Sequence, residues 1–381
     1  MRILHIEDYF DPTAGYQINE LLYASKNFDD EVFLITSTDM SPFHKKVDIK
    51  KDREFEEKTG VKIYRLDPIL KISSRLLLNN FRKTIKKINP DIIFMHGIGD
   101  FKDLQLWGRK KKYKIVRDCH MSWVASKNKF RNIFYLFYKI FFASIINRTD
   151  KYEVIYALGE EEYEYLKKIG IKDHKIDFLR HGFNDSIMYF DEKGRKEIRS
   201  KYKFNEEDVV IAYIGKFNNS KRPDLIIDVI DNLDKRFIDD YKVKLLFIGP
   251  KEDTYIDMFN KKLEKIAKKI PVVLDESKPF TELRKYYSAS DICIFPKETT
   301  LSSIHAQVCG CSVIMEKYKS NIERVIDSRN LYDIDNLYEA ACILERIIKN
   351  NEHKENKKNM QVLFDREYKK QIIKFRSRAL K

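Results

Sequence analysis

Short runs rich in Ile, Val, Leu and Phe alternate with helical stretches along this chain, and the alternation is laid out twice. In the first half the strand candidates are residues 3–6, 31–36, 62–66, 91–95, 114–117, 154–157 and 176–179. In the second half they are 209–214, 244–248, 271–274, 292–295 and 312–315, with helices such as 224–233 and 281–288 between them. Strands that are apolar on both faces and separated by helices predict parallel sheets covered on both sides. The fold class is therefore α/β, with two Rossmann-like, doubly wound domains. A length of 381 residues exceeds one ordinary core and agrees with two. The join is expected over residues 184–205, where apolar periodicity gives way to a charged stretch.

Composition narrows the partners. Lys and Arg number 73 against 59 Asp and Glu, a formal charge of +14, which favours nucleotide phosphates, nucleic acid or an anionic membrane surface. The basic residues are scattered over helices and loops without a recognised nucleic-acid module, so no nucleic-acid partner is expected. Cys119, Cys293, Cys309, Cys311 and Cys342 are odd in number and lack paired metal-ligand spacing. Reduced thiols and a cytoplasmic location are the simplest account. The chain enters a strand-like run at residue 2 without a signal-peptide core, and no segment has the length of a membrane span.

Residues 211–223 read Ile-Ala-Tyr-Ile-Gly-Lys-Phe-Asn-Asn-Ser-Lys-Arg-Pro. A strand that stops at Gly215 and is followed by Lys216 and Lys221 has the layout of a phosphate pocket. The glycine permits a tight turn, and the two ammonium groups can share one anion. By themselves these residues fit equally two solvated lysines beside a turn.

Several further segments resemble the GT-B glycosyltransferases, and within them the family 4 type of retaining, nucleotide-sugar-dependent enzymes. His5 to Gln17 is similar to the family's first strand and glycine-containing loop, with Gly15 at the second glycine and Ala14 at the first. Arg117-Asp118-Cys119-His120 is similar to the segment carrying the active-site histidine. His181-Gly182-Phe183-Asn184 resembles the motif closing the first domain. Gly215, Lys216 and Lys221 match the element whose basic pair binds the donor diphosphate, and Gly249-Pro250-Lys251 resembles a Gly-x-Gly turn. Ser290-Asp291 with the strand after it, and Ala306-Gln307-Val308-Cys309-Gly310, resemble two later motifs.

The resemblance implies a GT-B enzyme whose two domains face a central cleft. It places an acceptor-binding domain over 1–185, joined by 363–381 crossing back in a last helix at 365–380, and a donor domain over 186–362. The implied donor is a nucleoside-diphosphate sugar, with no metal and no further cofactor. The implied acceptor is a glycan or lipid-linked glycan in surface polysaccharide or glycoconjugate synthesis. His120, Lys216, Lys221 and Glu298 are the catalytic candidates. Donor contacts fall on Gly15, Gly215, Lys216, Lys221, Gly249, Thr299, Thr300, Ser302, Ser303, His305 and Glu323. Chemistry supports the roles independently. Two lysines neutralise a leaving diphosphate whose charge grows as the glycosidic bond breaks. A histidine at the end of a strand beside Asp118 can hydrogen-bond a sugar hydroxyl or stabilise charge, though a core histidine would look the same. Gly15 lets backbone amides at a helix start approach an anion. Carboxylates near these positions look sparse, without a metal-ligand cluster.

One departure matters. The family's two glutamates, eight positions apart, fall here on Lys297 and His305. Glu298 is one residue out of register. Thr299, Thr300, Ser302 and Ser303 offer hydroxyls to a sugar or phosphate, or act as caps of a helix whose start is an anion site. A second hypothesis follows from this loss of acid: a glycosyltransferase-like binding or scaffold protein without turnover. Finally, residues 127–148 combine basic ends with dense aromatics. They fit either an interfacial helix on anionic lipid at the inner membrane face or a buried helix of the first domain.

Overall fold

A computed structural model describes residues 1–41, 47–72, 74–106, 113–120, 131–297, 299–354 and 361–379. The chain forms two compact units, Met1–Asn184 with Tyr368–Lys381, and Asp185–Glu367.

In the first unit the strands are β1 (Arg2–Ile6), β2 (Glu31–Ser37), β3 (Lys62–Leu66), β4 (Pro68–Ile72), β5 (Arg75–Leu78), β6 (Ile92–Met95), β7 (Lys114–Cys119), β8 (Tyr152–Ala157) and β9 (Ile176–Phe178). Seven form one parallel sheet in the order β3-β2-β1-β6-β7-β8-β9. The two faces carry alternate residues. Leu4, Ile6, Ile93, Met95, Ile115 and Ile155 belong to one core, and Ile3, Ile92, Phe94, Val116 and Tyr156 to the other. This two-sided burial is why the strands read as continuous apolar runs. The second core is completed by Tyr368, Ile372 and Phe375, from a helix over Tyr368–Ala379. Its first residue is fastened by Tyr368 N–H to the Phe183 carbonyl and by Gly182 N–H to the Tyr368 hydroxyl. The crossing back therefore begins at 368 rather than 363, because residues 364–366 form a separate 3-10 turn that stays with the second unit.

The antiparallel hairpin β4–β5 was not anticipated. In sequence, Ser73-Ser74 stand between its strands, without the glycine or asparagine that marks two-residue hairpins. The helix expected over 127–148 runs from Arg131 to Arg148, its first residues falling outside the described ones. It contains a π-helical turn at Lys139–Ala143. Tyr135, Tyr138, Phe142 and Ile146 are buried, whereas Ile133, Leu136, Phe137, Ile140, Phe141 and Ile145 are exposed. One face is thus buried in the first unit and the other is exposed. No described helix is long and apolar enough to cross a membrane.

The second unit holds β10 (Val209–Ile214), β11 (Val243–Ile248), β12 (Val272–Asp275), β13 (Ile292–Phe295), β14 (Ser312–Glu316) and β15 (Leu331–Tyr332). They form a parallel sheet in the order β12-β11-β10-β13-β14-β15. Every residue of β10, β13 and β14 is buried. The strand order reverses at β1/β6 and again at β10/β13, and the crevice at the carboxyl end of such a switch point is where open α/β sheets take ligands. Asp291 sits at the opposite edge, accepting from Arg195, Arg199 and the Val210 N–H. The aspartate of the Ser290-Asp291 motif is therefore a brace.

Candidate functional site

In the second unit, the loops after β10, β11, β13 and β14 meet at the carboxyl edge of the sheet. The first two are locked by backbone. Gly215 N–H bonds the Ile248 carbonyl at 2.9 Å, and Phe217 N–H bonds that of Pro250 at 2.9 Å. Gly249 has φ +149°, and a Cβ there would lie 1.8 Å from the Gly215 oxygen. Only glycine satisfies both constraints. Gly215 and Gly249 thus serve the packing of one loop on the other.

Lys221 Nζ donates to the Thr299 carbonyl at 2.9 Å, tying the β10 loop to the β13 loop. The Thr299 hydroxyl in turn donates to Asn321 Oδ1 at 2.7 Å and lies 2.6 Å from Ser320 Oγ. Lys216 is exposed, and its ammonium has no partner among the described residues. Arg222, immediately after Lys221, adopts φ +48°. Its guanidinium grips Asp224 at 2.7 and 2.9 Å, and Tyr255 and Lys262 bind the same carboxylate. Burial would raise the Asp224 pKa, but hydrogen bonds from Arg222, Tyr255 and Lys262 outweigh it and lower it to about 2.

The hydroxyl run is arranged differently from the cap expectation. The helix after it, Ser302–Val308, starts behind Leu301 without a side-chain cap. Ser303 is fully buried and donates to the Thr300 carbonyl at 2.8 Å, while Thr300 Oγ1 accepts from Ser302 N–H at 3.3 Å. His305 is also buried, against Phe280. The second serine of this helix is therefore turned inward, away from the edge. Thr299, Thr300 and Ser302 remain partly exposed at the edge. Glu323 is half-buried and its carbonyl accepts from Arg366. Glu298 lies outside the described residues.

Lys297 is ion-paired with Glu316 and with Asp335. Glu316 is fully buried at the end of β14 and also accepts from the Asp335 N–H at 3.0 Å. A carboxylate does stand beside position 297, supplied by the neighbouring strand.

In the first unit the carboxyl edge carries a chain of polar groups. Asp118, buried at the end of β7, accepts on Oδ2 from His96 Nδ1 at 2.7 Å. On Oδ1 it accepts from Gly97 N–H at 2.8 Å and lies 2.9 Å from His120 Nε2. His96 Nε2 lies 3.0 Å from His5 Nδ1. Burial opposes the charge on Asp118, but His120 and His96 outweigh it and hold its carboxyl well below the usual range. His120 is 37 % exposed. Desolvation lowers its pKa, and Asp118 more than reverses that, taking it to about 9. Beneath lies Arg117, fully buried, paired with Asp103 at 2.6 Å and Asp100 at 2.9 Å. Gly15 sits two residues before the helix Gln17–Ser25. Gln17 is buried there, with both amide atoms lacking a partner among the described residues, which marks a polar environment that a ligand or water would complete.

Carboxylates are therefore not sparse at these edges. His96, Asp118 and His120 place ligand atoms within 4.8 Å of one another, a spacing within reach of a divalent ion. Both Asp118 oxygens are engaged by hydrogen bonds within this set. Sequence reasoning missed His5, His96, Arg222, Asp224 and Glu316. A carboxylate closing an otherwise apolar strand, as Glu316 does, was the available signal.

Residues 194–361 match the family model described as Glycosyl transferases group 1. The chain also superposes over 99% of its length on 99% of Anabaena Alr3699/HepE, a structure in complex with UDP and glucose, with a TM-score of 0.69 at 14% identity. The chain has the GT-B glycosyltransferase fold. A glycosyltransferase from Rickettsia africae gives a TM-score of 0.71 at 15% identity, covering 99% of this chain and 96% of that one. In sequence, the chain is 31% identical over 93 residues to the cell wall alpha-1,3-glucan synthase ags1 of Schizosaccharomyces pombe. That stretch is 24% of this chain and spans only 4% of the relative's length. Within the GT-B fold, the β10–β14 loops and the β1–β7 edge are the carboxyl edges of two separate Rossmann-like sheets.

Proposed function

We propose that this protein transfers a sugar from a nucleoside-diphosphate sugar to a glycan or lipid-linked acceptor, with retention, in surface polysaccharide or glycoconjugate synthesis. The observation that carries the reading is the pair Lys216 and Lys221 on one braced loop at the switch point of the second sheet. Lys221 is anchored to Thr299, while Lys216 is left exposed. That arrangement suits a diphosphate whose charge increases on bond cleavage. The match of residues 194–361 to the group 1 family model and the UDP and glucose bound to the HepE neighbour support the donor class. The acceptor belongs to the first unit in this reading, with His120 as a catalytic candidate and Gly15 as a donor contact at that unit's edge, and Glu298 stays a candidate for the donor sugar.

The scaffold reading is not favoured. Its basis was Lys297 and His305 where acids are usual, and the charge of Lys297 is balanced by Glu316 and Asp335. An anionic membrane surface is the proposed station for a lipid-linked acceptor, through the exposed apolar face of Arg131–Arg148 with Lys139 and Arg148 beside it. Calorimetry against a panel of nucleoside-diphosphate sugars, followed by product detection with the best binder, tests the central claim. Micromolar binding with transfer supports it, and no binding to any member of the panel refutes it.

A further inference from the structure

His120 ends a four-member chain that runs into the interior of the first unit: His120, Asp118, His96 and His5. The members come from β7 and its end, the end of β6, and β1, so the sheet itself fixes their order. His5 and His96 are buried and stacked, with ring centroids 5.3 Å apart at 11°, and Phe94 packs on both. Rings confined in this way cannot rotate to choose new partners.

The hydrogen-bond roles follow from chemistry. An ionised carboxylate only accepts, so His96 Nδ1 and His120 Nε2 both carry protons toward Asp118. One carboxylate balances one imidazolium, and a second cation at fully buried His96 would be uncompensated. The charge count therefore puts the cation on the exposed ring, His120, and leaves His96 neutral as the Nδ1–H tautomer. Its Nε2 then accepts, and the His5 Nδ1–H donates. Burial above all lowers the His5 pKa well below its ordinary value and keeps that ring neutral. Glu7 and Glu162 add favourable potential at His120 from β1's end and the helix Glu160–Lys168, but Asp118 dominates.

We propose that His5 and His96 are positioning residues which, through Asp118, fix His120 as an imidazolium whose Nδ1–H is presented to the bound ligand. Three donors keep the Asp118 carboxylate ionised: His96, Gly97 and His120. Loss of the His96 donor leaves Oδ2 buried and unsatisfied, which raises the carboxylate's affinity for a proton until the one shared with His120 transfers to Asp118 and leaves the imidazole neutral. In this state His120 donates a hydrogen bond to a ligand oxygen and does not act as a base. The inference rests on the reading of His120 as a site residue.

Nitrogen-15 spectra of the histidines in the full chain test it without any substrate. At pH 7 the expected result is His120 protonated on both nitrogens, with His96 and His5 as Nδ1–H tautomers. The His120 midpoint should lie near about 9. It should fall toward about 6.5, the value of an unperturbed imidazole, in His96→Leu, and return upward in His96→Asn, whose amide nitrogen stands where Nδ1 stood. If His96→Leu does not fold, His5→Phe serves. That variant removes the donor to His96 Nε2 while Asp118 keeps the proton on Nδ1, so the His96 Nε2 resonance should shift as its buried acceptor loses its partner. A wild-type His120 midpoint near 6.5, or an unmoved midpoint in His96→Leu, or an unmoved His96 Nε2 resonance in His5→Phe, overturns the proposal. With a competent donor, the alkaline limb of the transfer profile should move with the His120 midpoint across the same variants, and a limb that stays put overturns the ligand-facing role. A chain that shows the expected spectra but binds no nucleotide sugar refutes the sugar-transfer reading alone.

Discussion

Lys221 reaches out of its own loop to the Thr299 carbonyl at 2.9 Å, whereas Lys216, five residues earlier, touches no side-chain partner among the described residues. One lysine is part of the framework and the other is held ready. The two alanine substitutions should therefore separate. Lys216→Ala should weaken UDP binding about ten- to a hundredfold, the effect of about 1.5–3 kcal/mol for a charged hydrogen bond, with little change in melting temperature. Lys221→Ala should weaken binding at least as much and also lower the melting temperature. Calorimetry with UDP and thermal unfolding check this; an equal loss of melting temperature in both variants would count against it.

The close approach of Gly215 and Gly249 predicts an intolerant position. Gly249→Ala adds a Cβ 1.8 Å from the Gly215 oxygen at φ +149°, so clash and backbone strain combine to about 3 kcal/mol or more. Gly60→Ala is the control. Its φ is +77° with nothing within 4 Å, and the cost should be only about 1–2 kcal/mol. Urea unfolding of both variants would measure the gap, and equal costs would refute the packing role.

What could be read beforehand follows from how local the signals are. The strands were legible because β10, β13 and β14 are buried along their whole length and so contain little but apolar residues. The lysines of the β10 loop were legible because glycine and two cations lie within seven residues. The balance of Lys297 was not, since its partners lie at 316 and 335, and only the β13–β14 pairing brings them together. The same holds for His5, His96 and Asp118, which sit on three strands. The hydroxyl run misled for a different reason: four similar side chains in a row do not say which will turn inward, and Ser303 did.

Asp224 gives a pH dependence with a definite sign. Its pKa is depressed to about 2 from an ordinary 3.8, so its stabilising effect is complete above pH 3.8 and is lost as pH falls through about 2. The shift corresponds to about 2 kcal/mol. Asp224→Asn should thus be less stable than the parent at pH 7 by roughly this amount, with the difference shrinking as pH approaches 2. The Arg222 backbone, held at φ +48° beside it, should relax as well, weakening UDP binding. Denaturant midpoints at pH 7, 4 and 2.5 follow the first effect. A difference that stays constant with pH would show that Asp224 acts through shape alone.

The helix Arg131–Arg148 shows two apolar faces, and only one is covered within its unit. Tyr135, Tyr138, Phe142 and Ile146 pack inward, while Ile133, Leu136, Phe137, Ile140, Phe141 and Ile145 are 40–68% exposed. The Phe137 and Phe141 rings pack tilted against each other with centroids 4.9 Å apart, forming a ridge on the exposed side. Lys139 and Arg148 are exposed on the same segment. Such a face suits an anionic bilayer, with the ridge in the acyl boundary and the cations among the headgroups. Vesicles containing phosphatidylserine should float the protein at low salt, and binding should weaken as salt screens the headgroups. Phe137→Asp with Phe141→Asp removes two side chains worth about 1.5–3 kcal/mol each on burial. Flotation should then be lost, while UDP affinity and circular dichroism remain unchanged, because neither ring belongs to the buried core. Equal binding to neutral vesicles would remove the role of the cations, and binding that survives the double substitution would remove the helix from the contact altogether.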